Sequence, residues 1–175
     1  LAFYLEWYEE KAVAAGAQVH WCRDAAEARE TILRLCRRLQ AKTVTKGKSM
    51  ITEEIGLNDF LQSNGVTPVE TDLGEYILQL RDEAPSHIVA PAIHVTKQEV
   101  ADLFLTKHQD LPKDRRLDDA RSLIDEARTV LRRQFQTADV GITGANFLIA
   151  ETGSSVIITN EGNGDLTQTL AKAHI

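Results

Sequence analysis

Residues 138–163 read ADVGITGANFLIAETGSSVIITNEGN, three short apolar runs with the polar residues massed between and after them. Runs of four to eight apolar residues bounded by Gly, Asn and Glu are the pattern of strands covered on both faces. That reading predicts buried strands at 140–143, 147–150 and 155–159. The intervening segments, Thr143-Gly144-Ala145-Asn146, Glu151-Thr152-Gly153-Ser154 and Asn160-Glu161-Gly162-Asn163, become loops. Gly lets a backbone approach closely, Thr and Asn offer neutral hydrogen bonds, and Glu brings charge. Loops of that composition read as a binding edge.

Upstream, apolar runs alternate with helical patterns. An aromatic-rich helix fills 1–15 and closes at Gly16, and a short strand is expected at 18–22. Asp24, with Glu27 three residues on, opens a helix as a capping box. A strand at 41–46, a helix over 51–63 and a strand at 66–71 follow, the last placed at a sheet edge by Pro68. Asp72 and Glu75 form a second box opening a helix at 75–80. Residues 87–90 read as a strand, and Thr96 with Glu99 boxes a helix running to 107. Residues 110–114 read as flexible. The helix after them puts Leu117, Ala120, Ile124, Ala127, Leu131 and Phe135 on one apolar face. The alternation predicts an α/β fold with a mostly parallel sheet flanked by helices, ending in an antiparallel pair or hairpin.

The chain has 175 residues and a net charge of −6. That length suits one domain, with about 70% of the unfolded surface buried. The negative charge argues against a nucleic-acid partner. The basic run at 115–133 is interleaved with acids, as on a solvated helix face. No run approaches the ~18 apolar residues that span a bilayer, and acidic residues interrupt the N-terminal segment where a signal peptide would need an apolar stretch. Cys22 and Cys36 form no CxxC pair, and Cys36 falls on an apolar helical stripe. Together these features predict a cytoplasmic protein. The chain reads as a fragment of a longer one.

In open α/β sheets, ligands bind beyond the carboxyl ends of the strands, so the residues there are the candidates. Lys46-Gly47-Lys48-Ser49 precedes a helix and suits an anion, unless Ser49 only caps that helix and both lysines are solvated. The segment is not a P-loop, because the first glycine of that motif falls on Lys42. Glu53 and Glu54 are candidates for acid–base work or acids favoured by a helix N-terminus. Glu75 is either the capping partner of Asp72 or a catalytic carboxyl. His94 is a proton donor, an anion ligand or a satisfied structural histidine. Glu151 lies between strand candidates, where burial would raise its pKa, or it merely occupies a hairpin turn. Asp72, Thr143, Gly144, Asn146, Thr152, Asn160, Glu161 and Asn163 complete the set as ligand-binding candidates. No second His or Cys stands at metal spacing, so no metal site is expected. No Ser/His/Asp or Cys/His nucleophile arrangement stands out.

Longer motifs carry a resemblance. AGAQVHWCRDAAEA (15–28), VTKGKSMITEEIGLN (44–58), VETDLGEYILQL (69–80), PSHIVAPAIH (85–94), ARTVLRRQF (127–135), residues 138–163 and the closing HI resemble the LUD domain. The likeness is to the lactate utilization protein B family, the iron–sulfur subunit of bacterial L-lactate oxidation. It covers nearly the whole chain as a single domain. It implies a fold akin to the NagB/RpiA/CoA-transferase-like group and a role in oxidising L-lactate to pyruvate in a multi-subunit assembly. The implied partners are sister lactate-utilisation subunits and a small carboxylate substrate. The family's ferredoxin-like cysteine motifs, which hold [4Fe–4S] clusters, follow this domain and are absent from these residues, so no cofactor is expected in this chain. Two other readings stay open. One is a non-catalytic docking module. The other, by fold analogy, is a CoA-transferase- or sugar-phosphate-isomerase-like enzyme using Glu151.

Overall fold

The computed structural model describes residues 1–47, 49–86 and 90–175. Four parallel strands form the central sheet in the order β2-β1-β3-β6, with β1 at Thr43–Gly47, β2 at Thr67–Glu70, β3 at Val140–Thr143 and β6 at Ala173–His174. Side chains alternate across a strand, so Val44 and Lys46 share one face of β1 while Thr43, Thr45 and Gly47 share the other. Val44, Val140 and Ile142 pack against α2 (Ala25–Arg38) and α4 (Leu57–Ser63) through Leu33, Cys36, Leu57 and Leu61. A second core joins Val69 to α5 (Leu73–Arg81), α6 (Lys97–Lys107) and α7 (Ala120–Thr137). The result is a helix–sheet–helix sandwich, the α/β architecture expected from the alternating sequence.

Helix α8 (Asn163–Leu170) lies directly on the sheet because Gly141 offers no side chain there; a Cβ at 141 would overlap the Thr167 carbonyl. Pro68 is tolerated because β2 is an edge strand. Gln79 of α5 covers that edge, accepting from the Glu70 N–H at 3.0 Å and donating to the Pro68 carbonyl at 2.9 Å. On the α5–α7 side, Arg115 and His108 bind the Glu126 carboxylate at 2.7 and 2.8 Å, and the Tyr76 hydroxyl meets His108 Nε2 at 2.8 Å. This buried network ties three helices together.

The structure departs from expectation in several places. Residues 18–22 form no strand. The helix expected over 51–63 is broken into α3 (Met50–Glu54) and α4, with Gly56 in the left-handed region at φ +61. On α7, Ala120 and Ile124 are exposed, while Leu123 joins Ala127, Leu131 and Phe135 in the core. Finally, β4 (Phe147–Ile149) and β5 (Ser154–Val156) are not covered strands but an exposed antiparallel hairpin outside the main sheet. Its turn rests on α1 (Ala2–Ala14), where Tyr8 and Ser155 hydroxyls meet at 3.0 Å. Gly153, at φ +69, sits where any side chain would strike the α1 backbone. The expected strand at 87–90 falls largely outside the described residues.

Candidate functional site

Lys46 and Glu70 are direct partners in the β1–β2 register, so both side chains leave the same face near the carboxyl ends of their strands. Both are buried, at 1% and 3% exposure. The Lys46 ammonium donates to Glu70 Oε1 at 2.8 Å, to Thr52 Oγ1 at 3.0 Å and to Glu53. Asn58 of α4 also donates to Glu70 Oε1, at 2.5 Å. Burial alone would lower the Lys46 pKa, but the Glu70 and Glu53 carboxylates outweigh it and hold the ammonium charged. Burial pushes Glu70 upward in spite of its lysine.

Glu75, on the first turn of α5, completes the cluster. Its carboxyl is pushed up to about 8, first by burial and then by the negative Glu70 beside it, with which it hydrogen-bonds. Two carboxylates cannot share a hydrogen bond without a proton between them. A protonated Glu75 gives one to the Glu70 carboxylate beside it. Near neutral pH the cluster therefore stores an exchangeable proton beside a fixed ammonium. The expected capping box at this helix is not formed: Asp72 caps α5 by accepting from Gly74 N, and Glu75 is directed to Glu70 instead.

A second feature lies across the sheet. A cleft of about 740 Å³ opens between α7 and α8, lined by Thr71 and Leu73, by Arg128, Leu131, Arg132 and Phe135, and by Asn160, Glu161 and Asn163. Asn163 is 6% exposed, and neither amide heteroatom has a hydrogen-bond partner.

The other predicted residues are dispersed. Ser49 caps α3, accepting from Thr52 N at 3.3 Å, and Glu54 is exposed on that helix. Lys48 lies outside the described residues. His94 binds Ser86 Oγ at 2.8 Å and Glu83 at 3.1 Å on the surface. Thr143 meets His174 Nε2 at 2.7 Å where β3 ends, and Gly144 follows it in the loop to β4. Asn146 closes the hairpin mouth, its Oδ1 accepting from Ile158 N at 2.9 Å. Thr152 bonds Ser154 at 2.9 Å in the hairpin turn. Glu151 is exposed in that same turn, without the burial that its role as an acid or base rested on. So Lys46 and Glu75 come together, as do Asn160, Glu161 and Asn163, while the hairpin set stands apart.

Glu70, Asn58, Arg128 and Arg132 were missed. A Glu following Val69 inside a strand pattern is the signal that could have found Glu70, since a charge there must find a partner. Arg128 and Arg132 read as a solvated helix face, yet they line the cleft. Cys36 is a core thiol pushed up to about 11 by burial, and Cys22 is exposed on a different segment. Two separated cysteines do not fit a four-thiolate cluster site. Among the described residues, no group of three or more His, Cys, Asp and Glu is arranged to hold a metal ion, and no helix is long and apolar enough to cross a membrane.

The LUD domain family profile matches residues 5–175. Proteins called Lactate utilization protein B are similar along the whole chain. That of Bacillus subtilis (strain 168) is 44% identical over 180 residues, covering 100% of this chain and 36% of that protein. That of Geobacillus thermodenitrificans (strain NG80-2) is 47% identical over 176 residues, with the same coverage. That of Oceanobacillus iheyensis is 44% identical over 174 residues, 99% of this chain and 35% of the relative. The chain thus spans just over a third of the length of these curated relatives. No solved structure matches it significantly.

Proposed function

The chain belongs to the LUD domain family, and on that premise we propose that it takes part in oxidising L-lactate to pyruvate within a multi-subunit cytoplasmic assembly. The observation that carries this reading is the 44–47% identity, along the whole chain, to proteins called Lactate utilization protein B. Converting lactate to pyruvate releases two electrons and two protons. The electron acceptor belongs outside residues 1–175; in this reading it is the iron–sulfur part of the longer protein.

This chain's share is the binding of a small carboxylate at the strand-end loops and the handling of a proton. Glu75 suits the second task, because a base works best with a pKa near the working pH, and burial beside Glu70 brings it there. Lys46 opposes the burial that raises Glu70 and so favours its charged form. Negative charge on Glu70 in turn raises Glu75 and makes it basic enough to take the hydroxyl proton of lactate. The test is pyruvate formation from L-lactate by the full-length protein assembled with its sister subunits. Pyruvate formed at the same rate with and without this protein would overturn the reading.

Docking to sister subunits is a second role, favoured by a specific surface. Phe147 is 60% exposed on the hairpin, with Leu148 and Ile149 beside it, and Phe3 and Tyr4 are exposed on α1. Phe147→Ser should reduce co-purification of the sister subunits while leaving the thermal transition unchanged. Undiminished co-purification would remove this role from the hairpin.

A further inference from the structure

We propose that the α7–α8 cleft is a binding site for an organic oxyanion with an apolar body, distinct from the small acid of the reaction above. Four observations converge. The cleft encloses about 740 Å³, in the size range of sites that bury drug-sized ligands, and a hydroxy acid as small as lactate would leave most of it empty. Its lining includes the buried polar side chains of Thr71 and Asn163. Beside them Gly47 is packed so closely that a Cβ there would lie 2.5 Å from Thr71 Oγ1, 3.7 Å from Asn163 Nδ2 and 3.9 Å from Thr167 Oγ1. Three buried polar side chains therefore meet over one residue that has no side chain of its own.

Asn163 is the decisive member. Its amide is buried and unpartnered at both heteroatoms, an arrangement that costs stability unless something fills it. It is also the first residue of α8, whose N-cap is Gly162 in the left-handed region at φ +73, with no side chain capping the helix. An uncapped helix N-terminus attracts negative charge. The Asn163 amide can give a hydrogen bond to the same oxyanion and accept one from a hydroxyl or N–H next to it.

The outer part matches the rest of such a ligand. Leu131, Phe135 and Leu166 offer an apolar wall, and Arg128 and Arg132 bring two guanidinium groups against the single Glu161 carboxylate at the mouth. The head is a phosphoryl or a carboxylate group; both are oxyanions that a helix N-terminus and an amide can hold, and they differ in charge.

The test uses the full-length protein and two probes, phenyl phosphate and phenylacetate, measured by calorimetry. Saturable 1:1 binding of at least one is expected. The tighter probe assigns the head group, and phenyl phosphate should show the steeper salt dependence. Asn163→Leu should weaken binding at least tenfold without lowering the thermal transition, since it removes an unsatisfied amide from a buried position. Arg132→Gln should weaken it several-fold. Failure of both probes to bind the wild-type protein overturns the proposal. So does binding that survives both substitutions unchanged, or an Asn163→Leu variant that is destabilised while binding as before, which would make the amide a structural residue hydrated by water.

Discussion

Lys46 and Asn58 converge on one oxygen of Glu70, so the ammonium and the carboxylate at the end of β1 and β2 stand or fall together. Lys46→Met should destabilise the protein by about 3–5 kcal/mol in denaturant unfolding, because it strands a buried carboxylate. The double variant Lys46→Met with Glu70→Leu should recover much of that loss. Glu75 adds a pH dependence. Its ordinary value near 4.5 is raised to about 8 in the fold, so the native state holds the proton more tightly than the unfolded chain does. Stability should therefore fall as pH rises from about 4.5 to about 8 and level off above. Glu75→Gln should flatten that slope and be the more stable protein at pH 9, by roughly 1–2 kcal/mol once solvent screening of a partly buried carboxyl is allowed for. The sequence pointed to Lys46 and Glu75 by their positions after strands. It could not pair them, because the Lys46–Glu70 contact depends on a register between strands separated by two helices. Reading Lys46 as an open anion holder missed that its ammonium is occupied by two carboxylates.

Between elements, the contact of α8 with β3 and the anchoring of the β1–β3 pair matter most. Gly141→Ala would drive a methyl group into the Thr167 backbone, and backbone cannot give way as a flexible side chain does. A loss of about 3 kcal/mol or more is expected, lowering the thermal transition by roughly 6–12 °C. Asp139 anchors the start of β1, accepting from Lys42 N at 2.9 Å and Thr43 N at 3.2 Å, with Lys172 at 2.9 Å. The Lys42 N–H, and then Lys172, hold its carboxyl down at about 2, below its ordinary 3.8. Its contribution is present above pH 3.8 and lost as pH falls through about 2. Asp139→Asn should thus cost about 1 kcal/mol at pH 7 and almost nothing at pH 2. Strand β3 was legible to the residue at 140–143, and Pro68 marked the edge strand. The hairpin was legible as a pair, but Phe147-Leu148-Ile149 is a continuous apolar run, and such a run reads the same whether the strand is covered or lies outside the sheet. The break at Gly56 was hidden for a similar reason, since helical spacing resumes in register after it.

For the molecule as a whole, the layered α/β order follows from alternating patterns that any reader of the sequence can count. The location of the chemistry does not follow from them, because it arises where strand ends, the start of α5 and the start of α8 meet. The motif-rich hairpin and the loop into it attracted Thr143, Gly144, Asn146, Glu151 and Thr152 as candidates, while the buried polar groups gathered around Lys46 and Asn163, on the two faces of the sheet. The most direct test of the proposed function is the pH profile of pyruvate formation from L-lactate by the full-length protein with its sister subunits, wild type against Glu75→Gln. The expected result is a wild-type rate that rises through a pKa near 8 and a variant at least tenfold slower, without that rise, at unchanged lactate KM. A variant that matches the wild-type rate at every pH would contradict the role given to Glu75, and with it the proton-handling site.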